Sequence, residues 1–230
     1  MKISSQTPTK GRTPNEILAG DYVYDSAWHV HTAMSWVDFA KRERSPVALM
    51  YGGLQLRYAV ELLWYELLSA AHPSITQTEY IQATAEATTL YRLIDKYSPF
   101  YWRFVAFGKV LASADSRPHP PIAEWDMSRL RRIHGGCGRK LLHLQGEPKV
   151  SFNSDEWYVD RLSFLDQSCS FIWEEMESSR NKLVFKPEGL KKPEVLELWE
   201  QFRDGKIDED SVRLRLTIAQ PILAQRPHTS

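Results

Sequence analysis

The sequence predicts an all-α protein: a helical bundle around a central apolar helix, with a small C-terminal helical extension. Three observations carry this. Apolar residues recur at spacings of three and four along most of the chain. The stretch Val47–Ala71 is apolar nearly all round, as the middle helix of a bundle is. Helix-start signals, Ser45-Pro46 and Thr76-Gln-Thr-Glu79, stand where those segments begin.

Taken in order, residues 1–20 read as a flexible lead-in punctuated by Pro8, Gly11, Pro14 and Gly20. The first helix is predicted over Ser26–Arg44, with Ala27, Val30, Ala33, Met34, Val37 and Ala40 on its inner face. Lys41, Arg42 and Arg44 suit the negative end of its dipole. The second starts at Ser45-Pro46 and runs to Ala71, long enough at about 40 Å to organise several partners. The third covers Thr76–Tyr97. Pro99 is expected to interrupt it, and a short aromatic helix, Phe100 to about Ala114, follows. Trp28, Trp36, Trp64 and Trp102 fall within helical patterns and are assigned to the core. After the proline-rich loop 116–121, helical pattern resumes over Arg129–Leu144 and again over Asp155–Arg180. Residues 183–185 suggest a short extended segment. Pro193–Arg203 and Asp208–Ala219 suggest a hairpin joined at Asp204-Gly205. The implied organisation is a lead-in (1–20), a bundle (21–182) and a hairpin extension (183–230).

Composition narrows the function classes. The 230 residues are 43% hydrophobic and 25% charged, with 29 basic and 29 acidic side chains. Net charge is therefore zero, and anion binding has to come from local clustering. Two cysteines, Cys137 and Cys169, without a C-x-x-C, exclude a disulfide framework and a cysteine-rich zinc site. The polar first fifteen residues lack the apolar core of a secretion signal. Arg57, Glu61 and Glu66 make the central helix costly in lipid. A cytoplasmic protein with no membrane partner and no cofactor is the default expectation. His29-Val-His31 does not make a metal site, because positions i and i+2 of a helix point apart. Nucleotide-binding loops and the nucleophile-elbow motif are missing from the sequence. Arg57 and Glu61, one turn apart on an apolar helix, are read as a structural polar pair, or as the edge of a small-molecule pocket.

The segment with most chemistry is Arg129–His143, RLRRIHGGCGRKLLH, which holds five basic residues, two histidines and no acid. Arginine grips phosphate oxygens with a planar fork, and histidine moves protons near neutral pH. The RNA 2′-hydroxyl would supply an internal nucleophile without a metal. Two pairs are candidates for catalysis, Arg129 with His134 and Arg139 with His143, with Arg131, Arg132 and Lys140 as nucleic-acid contacts. Three glycines in four positions cost a helix about 1 kcal/mol each. Either the helix breaks at Gly135-Gly136, or something approaches its backbone closely. If the helix is continuous, Met127, Leu130, His134, Cys137, Leu141 and Leu144 form its apolar stripe. Arg132, Gly136, Arg139 and His143 then lie opposite.

The region 27–144 resembles the HEPN-type bacterial helical domains. The central stretch Met50–Leu68, with YGGLQLRYAVELLWYELL inside it, looks like their core helix, and Arg129-Leu-Arg-Arg-Ile-His134 has the R-x4-H form of their motif. The resemblance implies a dimeric all-helical bundle, with Arg129 on phosphate and His134 catalytic in an RNA-cleaving cleft. It implies equally relatives that have lost cleavage and only bind, and settings in toxin–antitoxin or phage defence. Leu130 stands where the family usually has a polar residue. In a continuous helix Arg129 and His134 lie about 140° apart. A non-enzymatic interaction module of a multi-protein complex is the alternative.

Overall fold

A computed structural model of the chain describes residues 10–19, 24–72, 74–114, 122, 124–142, 154–180 and 193–224. Every regular element among them is helical, as predicted. The chain forms two compact units. The first comprises Met1–Trp64 and Trp125–Ser178, the second Tyr65–Glu124 and Ser179–Ser230.

The first unit opens inside the stretch read as a lead-in. Pro14–Leu18 (α1) is a helical turn started by a capping box: the Thr13 hydroxyl accepts from the Glu16 N–H, and Glu16 accepts from the Thr13 N–H at 2.7 Å. Ile17 is buried, and α1 packs on Ser26–Glu43 (α2). Asp25 caps α2 through the Trp28 N–H. The long helix Pro46–Ala71 (α3) begins as its sequence predicts, with Ser45 Oγ accepting from Ala48 N–H at 3.3 Å. Its residues up to Trp64 belong to the first unit.

Two glycines on α3 mark places of close packing in this unit. A Cβ at Gly52 would lie 2.8 Å from the Leu165 side chain, and one at Gly53 would lie 2.5 Å from that of Leu141. Bare backbone here lets neighbouring side chains reach the axis of the central helix. Leu165 belongs to Asp155–Arg180, whose bounds match the prediction. On it Trp157, Leu165, Cys169 and Ile172 are buried, while Leu162 and Met176 are half-buried.

The second unit holds the end of α3 with Gln77–Thr84 (α4), Ala87–Ala114 (α5), Pro193–Arg203 and Glu209–Ala224. Helix α5 is its hub, packing on α4 and on both C-terminal helices. Two expectations need correcting. Pro99 does not interrupt; it lies inside α5. A proline costs a helix about 3 kcal/mol or more, but Pro99 is exposed while Ile94, Tyr97, Tyr101 and Phe104 around it are buried. Burial of that face outweighs one lost hydrogen bond. The break falls instead at 85–86, between α4 and α5. Of the tryptophans assigned to the core, Trp36 and Trp64 are buried and Trp28 half-buried, but Trp102 is 44% exposed. The hairpin turn is at Gly205, whose φ of 71° suits glycine. Arg103 of α5 donates to the Phe202 and Arg203 carbonyls beside that turn. Residues 183–185 lie outside the described residues.

Candidate functional site

Two helical stretches of the first unit position the site. Met127–Cys137 (α6) starts at Asp126, whose carboxylate accepts from the Arg129 N–H at 2.8 Å. It runs unbroken through Gly135-Gly136 and widens into a π-helical turn over Gly138–Leu142. Asp155–Arg180 (α7), whose first turn is capped by the Ser154 hydroxyl, lies against it. Glycine is needed at 136 because of a close approach: a Cβ there would overlap the Phe164 ring, with Cε2 only 2.6 Å away. Gly136 is therefore buried beneath Phe164 and does not sit on an open polar face.

With the helix continuous, the apolar stripe forms as its periodicity requires. Met127, Leu130, His134, Cys137 and Leu141 are all buried, and Leu144 lies outside the described residues. His134 is 2% exposed, with its ring tilted against Trp64 at 5.3 Å between centroids. Its Nε2 is 2.8 Å from Glu61 Oε1, and the same oxygen accepts from Arg57 Nε at 2.8 Å. A carboxylate oxygen only accepts, so the hydrogen of this bond is on Nε2 of His134. Arg57, Glu61 and His134 thus form one polar chain, buried at Glu61 and His134 and half-buried at Arg57, in which two donors converge on a single oxygen. The pair anticipated on α3 exists, and His134 is its third member. Burial dominates the titration of the neighbouring thiols: it pushes Cys137 up to about 12 and Cys169 well above the ordinary range. Both cysteines are free and inert.

The remaining candidates are on the outside of α6. Arg129, Arg132 and Arg139 are exposed, and Arg131 and Lys140 are half-buried. Arg129 lies over the Phe171 ring of α7, its guanidinium carbon 3.5 Å from the centroid. Lys140 pairs with Asp160 at 3.0 Å and sits over Phe164. Among the described residues no carboxylate side chain pairs with Arg129, Arg132 or Arg139. Arg129 and His134 therefore do not meet: one is stacked on the outer seam with α7, the other is bonded to α3 in the core. His143, the proposed partner of Arg139, lies outside the described residues.

His29 and His31 diverge as their spacing requires. Nδ1 of His29 is 2.7 Å from Gln55 of α3, while His31 packs on Trp173 of α7. Burial lowers the His29 pKa below its ordinary value, against the opposing pull of the Gln55 hydrogen bond and Asp25. No cluster of three His, Cys, Asp or Glu side chains suited to a metal occurs among the described residues. No helix of the described residues is long and apolar enough to cross a membrane.

The partnership of Glu61 with His134 was missed by sequence reasoning, since 73 residues separate them. One signal was available: each is a polar group on an otherwise apolar helix face, and such groups need partners. Phe171 and Phe164 were missed as the aromatic floor beneath Arg129 and Lys140. No family model, curated protein or solved structure matches the chain.

Proposed function

We propose that the protein is a HEPN-like RNA-binding protein that holds RNA through the exposed arginines of α6 and does not cleave it. The observation that carries this is the division along one helix. Arg129, Arg132 and Arg139 are exposed, while His134, the imidazole of the R-x4-H motif, is 2% exposed and bonded to Glu61. A general base must reach the proton it removes, and His134 is occupied in the core. The arginines lie within about one third of the helix circumference and span about 15 Å along it. That suits successive phosphates of one strand. On the same resemblance, the setting is a cytoplasmic toxin–antitoxin or phage-defence system.

Fluorescence anisotropy with a short labelled RNA, in EDTA, is the test. Binding is expected with the RNA left intact. Replacing Arg129, Arg132 and Arg139 together by glutamate is expected to abolish it. Neutralising them with glutamine instead is expected to lower the slope of log K against log salt by about 2, at ~0.7 per phosphate contact on a single strand. Undiminished binding by the glutamate variant, or cleavage in EDTA that His134→Ala removes, overturns the proposal.

A second reading, protein interaction, is favoured by one specific observation. Val47, Tyr51 and Tyr58 of α3 are 57%, 51% and 42% exposed and follow one face of the helix. If a second copy covers this face, sedimentation equilibrium will find a dimer that Tyr51→Lys with Tyr58→Lys converts to monomer. A wild-type monomer at all concentrations excludes that reading.

A further inference from the structure

Arg129 lies over an aromatic ring of the neighbouring helix. Its guanidinium carbon is 3.5 Å from the centre of the Phe171 ring. An edge-on guanidinium, with C–N bonds of about 1.33 Å, would push a nitrogen well inside van der Waals contact with the ring. The group therefore lies flat on Phe171. One of its planar faces is taken by the ring. Arg129 is nonetheless exposed, so its side chain meets solvent away from the ring.

We infer that Arg129 backed by Phe171 is a stacking platform for an unpaired base, and that the ligand of α6 is a single-stranded RNA. This rests on the RNA-binding reading above and specifies its substrate class. A planar, delocalised cation stacks on the π-face of any base, and does so without sequence preference. Phe171 fixes the guanidinium in that plane before the ligand arrives, which reduces the rotamer freedom lost on binding. In a duplex the base faces are covered by their neighbours, and the platform has nothing to stack on.

The surrounding charges give the strand a direction. Glu174 is exposed one turn along α7 from Phe171, so its negative charge disfavours phosphate on that side. Arg132 and Arg139 extend the other way along α6, and both are exposed. The edges of the Arg129 guanidinium, which the stack itself does not cover, contact the phosphate next to the stacked base. The backbone then continues toward Arg132 and Arg139.

The test compares three labelled RNAs of equal length: an unstructured single strand, its duplex, and the same single strand with abasic sites. Each is titrated against wild type, Arg129→Lys and Phe171→Leu. The lysine variant keeps the charge and removes the plane, at an exposed position where folding is not at stake. The leucine variant removes the backing ring, and its melting curve is recorded alongside. Wild type is expected to prefer the intact single strand to both other ligands by roughly tenfold or more, from stacking of one base. Arg129→Lys is expected to lose that preference, its affinity for the intact strand falling to near its affinity for the abasic one. Folded Phe171→Leu is expected to follow it. Equal wild-type affinity for all three RNAs, or a preference that survives in Arg129→Lys, overturns the platform and leaves phosphate-based RNA binding standing. Absence of binding to any of the three overturns the RNA reading itself, and the platform with it.

Discussion

Glu61→Ala is expected to destabilise the protein by about 3–5 kcal/mol, the cost of removing one partner from a buried charged group. Glu61 Oε1 accepts from both Arg57 Nε and His134 Nε2 at 2.8 Å. Alanine takes this acceptor from the buried His134 and the half-buried Arg57, in a region where Leu56, Val60, Trp64 and Leu130 are fully buried. The same carboxylate ties α3 to α6, so its loss also frees the helix that carries the exposed arginines. Urea denaturation monitored by circular dichroism measures the effect. Replacing all three residues with apolar ones, as Arg57→Met, Glu61→Leu and His134→Leu together, is expected to recover most of the loss, because the carboxylate and the two donors bonded to it are then removed together. A Glu61→Ala protein within about 1 kcal/mol of wild type, the worth of an ordinary hydrogen bond, would show that the three residues are not coupled as their geometry indicates.

That polar chain also shows where sequence reasoning stops. Local chemistry was legible. The Ser45-Pro46 start of α3 and the Thr76 cap of α4 follow from residues adjacent to the helix ends they set, and the extent of α7 from its apolar stripe. The stripe Met127, Leu130, His134, Cys137, Leu141 follows from periodicity alone. The break before α5 was not legible, because Thr84-Ala85-Glu86-Ala87 contains no strong helix breaker. Pro99 was misread because its local penalty is easily seen, whereas the burial of Ile94, Tyr97, Tyr101 and Phe104 that overrides it depends on what packs there. At the candidate site, the basic cluster was visible as composition. Its division into a core histidine and surface arginines was not, because Glu61 and Phe171 belong to other helices.

The glycines of α6 were legible as a question, and Gly136→Ala is the experiment that answers it. In an isolated helix this change stabilises by about 1 kcal/mol, since alanine restricts the unfolded backbone. Here it is expected to destabilise by about 1–3 kcal/mol, the usual cost of overpacking a core. The added Cβ would overlap the Phe164 ring, whose edge atoms Cζ and Cε2 lie over the glycine. Relief requires the half-buried ring to turn aside beneath Lys140, while the adjacent Leu165 stays close to Gly52 of α3. Gly136→Val is expected to cost more, adding branched bulk at the same point. The decisive variant is the double substitution with Phe164→Leu. If overlap is the cause, a smaller, flexible side chain at 164 makes Gly136→Ala neutral or stabilising, and the pair shows a coupling energy of about 1 kcal/mol or more. Additive effects would instead mean that Gly136 is required by the backbone of α6 itself. The outcome bears on binding as well, because Phe164 and Phe171 lie two turns apart on the same face of α7. Forcing α6 away from Phe164 also lifts Arg129 from Phe171. Gly136→Ala is therefore expected to weaken RNA binding at temperatures where the protein is still fully folded, and Phe164→Leu to restore it.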